Sequence, residues 1–495
     1  MATFFSGPNK GDDADFRPVR YRDMLPLDHP VRYIEKFIET LDVSPFEKRY
    51  KVGKGLQGRA PKKIRMMLGV VLYAIYRRIY SARQIEYGTE HQADFWFFTY
   101  GTRISHDKIS DFINLHENEV HKVFLETIIL AQKNDLLDFK GVYQDGFLLK
   151  ANASKKRNRR MKDLSRQENH VSERLTKIME ELKDKQNDPS LEQEKARGES
   201  RLARIGKLRE ELNKKIAERS LNKVPAHVKE LVENTIINET DSEADLMRQK
   251  NDSFDTSYLK VCATDAKAGV IIASDVAGYN DEPHMALPLF NQANKNCTGL
   301  GQYDTMLADA NFTSAKNCEE FENAKIALIG PTRNFEHEKR NPQSKDTPPR
   351  FTYDETKKCM CCSQGAELIE VERYHDKYKQ TTILVFGNKS ACQQCVRLTE
   401  CTKSKAGYRR VKMDIRYPFQ AKVLARYQSP EGQTLYKKRS HTAETPQGDL
   451  KKNGRFLQLL RRGTKKIRVD SILQDITWNL RRIFNETSGK VAWGC

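Results

Sequence analysis

The stretch Gly141–Ala153, GVYQDGFLLKANA, restricts the possible folds of this chain more than any other. Val142, Phe147 and Leu149 are bulky strand formers that frame a single carboxylate, Asp145. Gly146 follows it without a side chain, so another backbone or a ligand can come close beside the acid. A carboxylate in a core-like strand is unfavourable unless a cation or hydrogen bonds compensate it. Backbone amides at a strand end would satisfy an isolated acid, but further acids stand at strand ends along the chain.

Tyr258–Asp265 and Val270–Asp275 are apolar, β-branched segments joined by Ala266-Lys267-Ala268-Gly269, which predicts a hairpin. A helix is predicted over Glu282–Asn294 and a strand over Tyr303–Ala308, ending at Asp309. Thr313 or Ser314 caps a helix through Asn323, and Ile326–Ile329 reads as a buried strand closed by Gly330-Pro331. Strand, hairpin, helix, strand, helix, strand is the order of a ribonuclease H-like α/β core, provided residues 154–253 are lifted out as an insertion. Asp309 then sits where a strand runs out into a small-residue turn, the place where open α/β sheets build their sites. If its strand neighbours the first, Asp145 and Asp309 face each other, and such like charges repel unless a divalent cation lies between them. Hard oxygen ligands select Mg²⁺ or Mn²⁺ over zinc. Asp265, Asp275 and Asp304 also adjoin turns, where a solvent-facing acid is ordinary.

Around this core the chain is basic. Lys and Arg number 86 against 67 acids, a formal charge of +19, which points to a polyanionic partner and to nucleic acid before membrane. Met1–Lys10 lacks the charged-then-apolar order of a secretory signal, and the longest apolar run, Met66–Tyr76, is too short to span a bilayer. A cytosolic protein is expected. Residues 20–135 predict an all-α domain: Val31, Ile34, Phe37, Ile38 and Leu41 recur at helical spacing with Asp28 as N-cap, and helices follow over Ile64–Ile79, from Ala82, and from Ser105 towards Asn134. Its clustered Arg and Lys fit a helix-turn-helix-like DNA reader or a basic bundle that only packs on its neighbour. In the insertion, Val171, Leu175, Ile178 and Leu182, then Leu202, Ile205, Leu208, Leu212 and Ile216, predict a helical hairpin. Ile467, Ile472, Ile476, Leu480 and Ile483 form the stripe of a last helix, assigned to the core as part of 430–485 together with 139–153 and 254–332.

Between Tyr436 and Arg468 stand eleven Lys or Arg and only two acids, Glu444 and Asp449. Glu444, flanked by Ala443 and Thr445, is the candidate third carboxylate of a two-metal site, and Lys451 falls two helical turns away on the same face. Pro446 must start or kink such a helix. Taken together, Gln144-Asp145-Gly146 with Ala151-Asn152-Ala153, Ala308-Asp309-Ala310, and Glu444 with Tyr436, Arg439 and Lys451 resemble the DDE transposases of bacterial insertion sequences that carry a Tyr/Arg/Glu/Lys signature. The resemblance extends to Asp28-His29-Pro30, the helix of Tyr73, and Ser81-Ala82-Arg83-Gln84-Ile85-Glu86. It implies phosphodiester hydrolysis and strand transfer by two Mg²⁺ or Mn²⁺ ions on Asp145, Asp309 and Glu444, with Tyr436, Arg439 and Lys451 positioning phosphates. It also implies double-stranded DNA partners, transposon ends and target, and a homodimer that associates with the nucleoid when bound to DNA. A nuclease without strand transfer and a catalytically silent DNA-binding protein are the alternatives.

Residues 333–429 carry a separate signal. Cys359 and Cys362 form one C-x₂-C pair and Cys392 and Cys395 another, about thirty residues apart, which predicts a structural zinc knuckle with Cys361 and Cys401 as spare candidates.

Overall fold

The computed structural model describes residues 21–51, 62–185, 188–220, 225–279, 282–333, 351–377, 380–442, 444–449 and 458–493. Residues 1–20, the Lys/Gly loop after Lys51, Asn187, Lys451 and Cys495 lie outside them. The chain divides into two compact units, residues 1–136 with 472–495, and residues 137–471.

The first unit is helical: α1 (Pro30–Thr40), α2 (Ser44–Lys51), α3 (Ile64–Tyr76), α4 (Ala82–His91), α5 (Ala93–Thr99), α6 (His106–Leu115) and α7 (Glu117–Lys133). The predicted stripe of α1 is buried through Val31, Ile34, Phe37 and Ile38. Its cap is His29 rather than the expected Asp28: the His29 Nδ1 accepts from the Val31 amide at 3.3 Å. The single helix expected towards Asn134 is broken at His116 into α6 and α7. Phe95, Phe97 and Phe98 fill the bundle from α5, and Gly69 gives the Phe98 ring its place.

The second unit begins with β1 (Val142–Lys150). After β2 (Asn158–Arg159) come α8 (Met161–Asp184), α9 (Pro189–Ser220), α10 (Pro225–Asn234) and β3 (Ile237–Asn238). Leu164, Val171 and Leu175 of α8 meet Ile205, Leu208, Leu212 and Ile216 of α9 in one apolar cluster. The chain returns through β4 (Asp245–Arg248), β5 (Phe254–Asp265), β6 (Ile271–Ala277), α11 (Ala286–Asn296), β7 (Thr305–Leu307), α12 (Ala315–Asn323) and β8 (Ala327–Ile329). These strands order as β4-β5-β1-β7-β8, with β6 also on β5. β5 is antiparallel to β1 and β6, while β7 and β8 run parallel to β1. This mixed α/β arrangement is compatible with a ribonuclease H-like core.

A second sheet follows, β9 (Phe351–Asp354), β10 (Cys359–Cys362), β11 (Glu367–Asp376) and β12 (Thr381–Gly387), then α13 (Lys389–Gln393), α14 (Leu398–Cys401) and β13 (Arg410–Asp414), in the order β13-β12-β11-β10-β9. The chain ends through α15 (Tyr417–Gln428), α16 (Pro430–Lys437), α17 (Arg439–Thr442), α18 (Glu444–Gly448) and α19 (Thr464–Glu486). The last helix does not serve the second unit alone. Residues from Ile472 onward group with the helical unit, where Asn479 Nδ2 donates to Thr127 Oγ1 at 3.0 Å and Tyr33 packs on Phe484 and Trp493.

Candidate active site

β1 and β7 pair in parallel through Val142 with Met306 and Tyr143 with Leu307. Two residues on from the second pair stand Asp145 and Asp309, so strand order and register alone bring the two acids to the same level of the sheet. Side chains alternate along a strand, which puts Asp145 on the face of Tyr143. Tyr143 is buried there with Leu307, Ile329, Tyr427, Leu435 and Tyr436, and its hydroxyl donates to the Leu435 carbonyl. This cluster seats α15 and α16 on the sheet. The β5–β6 turn holds α17 from another side: Gly269 has φ +68, and a Cβ there would come within 3.0 Å of the Thr442 carbonyl.

Arg439, the first residue of α17, is thereby directed at the acids. Its Nη2 donates to Asp145 Oδ1 at 3.1 Å and lies 3.9 Å from Asp309 Oδ2. The three side chains are 11, 15 and 30 % exposed, so the pairs are shielded enough to matter more than surface ion pairs do. Asp309 Oδ1 also accepts from the Asn311 amide at 2.8 Å, which fixes the turn after β7.

A further carboxylate comes within electrostatic reach of these acids. The space that Gly146 leaves is filled by Glu282, whose carboxylate a Cβ at Gly146 would overlap. The close approach expected beside Gly146 is therefore made by a side chain. Glu282 precedes a 3-10 turn, Pro283–Met285, and Asn317 Nδ2 pins that turn by donating to the Pro283 carbonyl at 2.8 Å. Burial pushes the Glu282 carboxyl up to about 7, the charges of Asp309 and Asp145 push the same way, and Arg439 and Lys250 oppose them.

The expected site residues have different fates. Asp145, Asp309 and Arg439 come together. Tyr436 packs edge-on against Tyr427 with ring centroids 4.9 Å apart, inside the apolar cluster. Glu444 begins α18, five residues after Arg439, but its side chain falls outside the described residues, as does Lys451 altogether. Asp265 is not the solvent-facing acid expected: it is fully buried, accepts from the Tyr303 hydroxyl and the Lys267 amide, both at 2.8 Å, and burial raises its carboxyl to about 6. Asp275 pairs with Arg468 at 2.7 Å.

The cysteines regroup. Cys362, Cys392, Cys395 and Cys401 line one cavity of ≈ 290 Å³ with Arg409, and Cys359 does not line it. The reason is strand alternation: both members of the expected Cys359/Cys362 pair lie in β10, and residues three apart in a strand face opposite ways. Cys359 is buried beside Cys361 instead. Burial pushes the Cys401 thiol up; Arg409 opposes this, and Cys362, Cys392 and Cys395 are near enough to add to it.

Carboxylates such as Asp145, Asp309 and Glu282 are hard oxygen donors suited to Mg²⁺ or Mn²⁺. Among the described residues no three acidic, His or Cys side chains already stand as a metal's ligand shell, and the Arg439 guanidinium lies against two of the acids.

A mixed sheet of this order, with one acid within β1 and another just past the end of the neighbouring β7, is compatible with the DDE class of nucleic-acid enzymes. A Transposase DDE domain model matches residues 361–484, and a Transposase domain (DUF772) model matches residues 19–115. Together they support a DDE-type transposase of an insertion element. The first match takes in the four cysteines of the cavity and Arg439, and the second spans α1 to α6. None of the curated proteins compared matches the sequence. Among the described residues no helix is long and apolar enough to cross a membrane.

Proposed function

We propose that the protein is the transposase of its insertion sequence, binding the terminal inverted repeats and catalysing metal-dependent cleavage of double-stranded DNA followed by strand transfer. The observation that carries this reading is the convergence of Asp145, Asp309 and Arg439 at one end of the β1–β7 pair. Asp145, Asp309 and Glu444 are the proposed holders of two Mg²⁺ or Mn²⁺ ions, and Glu282 adds a carboxylate close by. Such ions supply activation of water or a DNA 3′-hydroxyl and stabilisation of the leaving oxygen. Arg439 orders Asp145 and Asp309 in the metal-free protein and holds phosphate once DNA is bound, with Lys451 as a second phosphate contact. Tyr436 serves by packing that aims Arg439. The helical unit is the proposed reader of the DNA ends, the protein acts as a homodimer in the cytoplasm, and the excess of basic residues favours DNA without reading its sequence.

The test is incubation of the purified full-length protein with a duplex carrying its own element's end and a second target duplex. Nicking at the end and joining to target, both abolished by EDTA, are expected. Nicking without joining would make the protein a nuclease, and binding without either would make it a silent DNA-binding protein.

A further inference from the structure

We propose that Cys362, Cys392, Cys395 and Cys401 form a tetrathiolate zinc site that ties the segment after β12 to the end of β10. The four come from separate local devices that converge on one cavity. Cys362 ends β10 and opens a turn closed by the Cys362 amide on the Ala366 carbonyl at 2.8 Å, with Gly365 at φ +84. Within it the Gln364 amide donates to the Cys362 sulfur at 3.5 Å, which fixes where that sulfur sits in the turn. Cys392 and Cys395 lie across the end of α13, where the Cys395 amide donates to the Cys392 carbonyl at 3.1 Å, and Asn388 caps the helix through the Ala391 amide at 3.0 Å. Cys401 ends α14.

An independent observation concerns charge. Arg409 lines the same cavity, and its Nε is buried with no hydrogen-bond acceptor, while its Nη1 reaches the Cys401 carbonyl at 3.4 Å. An unsatisfied buried guanidinium N–H is costly. Zn²⁺ binding releases the four thiol protons and leaves the centre with a net charge of −2, for which Arg409 is the adjacent cation and its Nε a donor to sulfur. Zinc–sulfur distances of about 2.3 Å require the cavity to contract, drawing α13 and α14 onto Cys362.

The experiment uses the full-length protein purified without added metal. Elemental analysis is expected to find about one zinc per chain. Cys362→Ser, Cys392→Ser, Cys395→Ser and Cys401→Ser should each lower that occupancy severalfold, while Cys359→Ser and Cys361→Ser keep it. Cobalt(II) exchanged into the unmutated protein should give the charge-transfer and d–d bands of four-sulfur tetrahedral coordination, a readout that does not depend on any variant folding. Removal of the metal should expose the 388–409 segment to protease. Absence of zinc, loss of it from Cys359→Ser with retention in Cys401→Ser, disulfides among the four in freshly purified protein, or a cobalt spectrum without sulfur ligation would each overturn the site.

Discussion

Two glutamates, one in each unit, show what burial demands of an acid. Glu86 in α4 is bonded on both oxygens by its own fold: Arg103 Nε and Nη2 donate to Oε1 at 3.0 and 2.7 Å, and the His106 amide and ring meet Oε2 at 3.1 and 2.6 Å. Those hydrogen bonds, Arg103's first, hold its carboxyl down to about 2. Glu282 has the opposite surroundings, with Asp309 and Asp145 beside it, and its carboxyl is raised to about 7 by burial first and then by those charges. An acid answered by the fold's own cations is scaffold. Acids gathered with fewer of the fold's own cations are the ones on which the proposed metal reading turns.

The comparison breaks most sharply at Asp145 and Asp309. Asp145→Asn or Asp309→Asn keeps size and most hydrogen bonding but removes a charge that ion binding needs. Each should lower DNA-end cleavage by about 10³-fold, several kcal/mol of transition-state stabilisation, with end binding by gel shift retained. Undiminished cleavage in either variant would take that residue out of the site. Arg439→Ala comes next. In the metal-free protein it leaves two acids without their shared guanidinium, so the second unit should melt lower and Mg²⁺ should raise its Tm more than in the unmutated protein. Cleavage should fall by about 10²-fold, because a donor aimed at developing charge is also lost. Equal Mg²⁺ stabilisation of both proteins would mean that Arg439 does not stand in for the ion.

Much of this was legible in the sequence. The helices of the first unit and the α8–α9 pair announce themselves through apolar spacing, and Asp145 and Asp309 stand out because each interrupts or ends an apolar strand. Strand order then does what spacing cannot, since 163 residues separate two acids that the Tyr143–Leu307 register makes neighbours. Glu282 stayed hidden because an acid at the start of a helical stretch is ordinary. Its only trace was Gly146, which signalled a close approach without naming the visitor. The cysteine spacing misled for a related reason: C-x₂-C suits a turn, but Cys359–Cys362 is a strand, where the same spacing separates the side chains. The stripe of α19 showed an apolar face but not that the helix serves two units in succession.

Glu282→Gln sharpens the contrast with a smaller effect. Cleavage should fall by about tenfold to a hundredfold, the range for a group that tunes a metal site. Stability in the absence of metal should hold or rise, because a neutral amide relieves repulsion from Asp145 and Asp309. Gly146→Ala tests the same contact from the strand side: it displaces the Glu282 carboxylate and should reproduce the loss of cleavage with the strand intact. Wild-type cleavage in both variants would leave Glu282 a bystander.

Glu86→Gln should leave DNA chemistry nearest to normal and act on stability alone, in the direction opposite to Glu282→Gln. A folded-state carboxyl held at about 2 contributes stability that is complete above the ordinary glutamate pKa and is lost as pH falls through the folded value. The Tm difference between the unmutated protein and Glu86→Gln should therefore be full at neutral pH, shrink as pH drops below about 4.5, and vanish near 2. Thermal melts across that window check the sign. A difference that grew on acidification would mean that Arg103 and His106 do not hold the charged form, and Glu86 would then belong with the acids of the other unit.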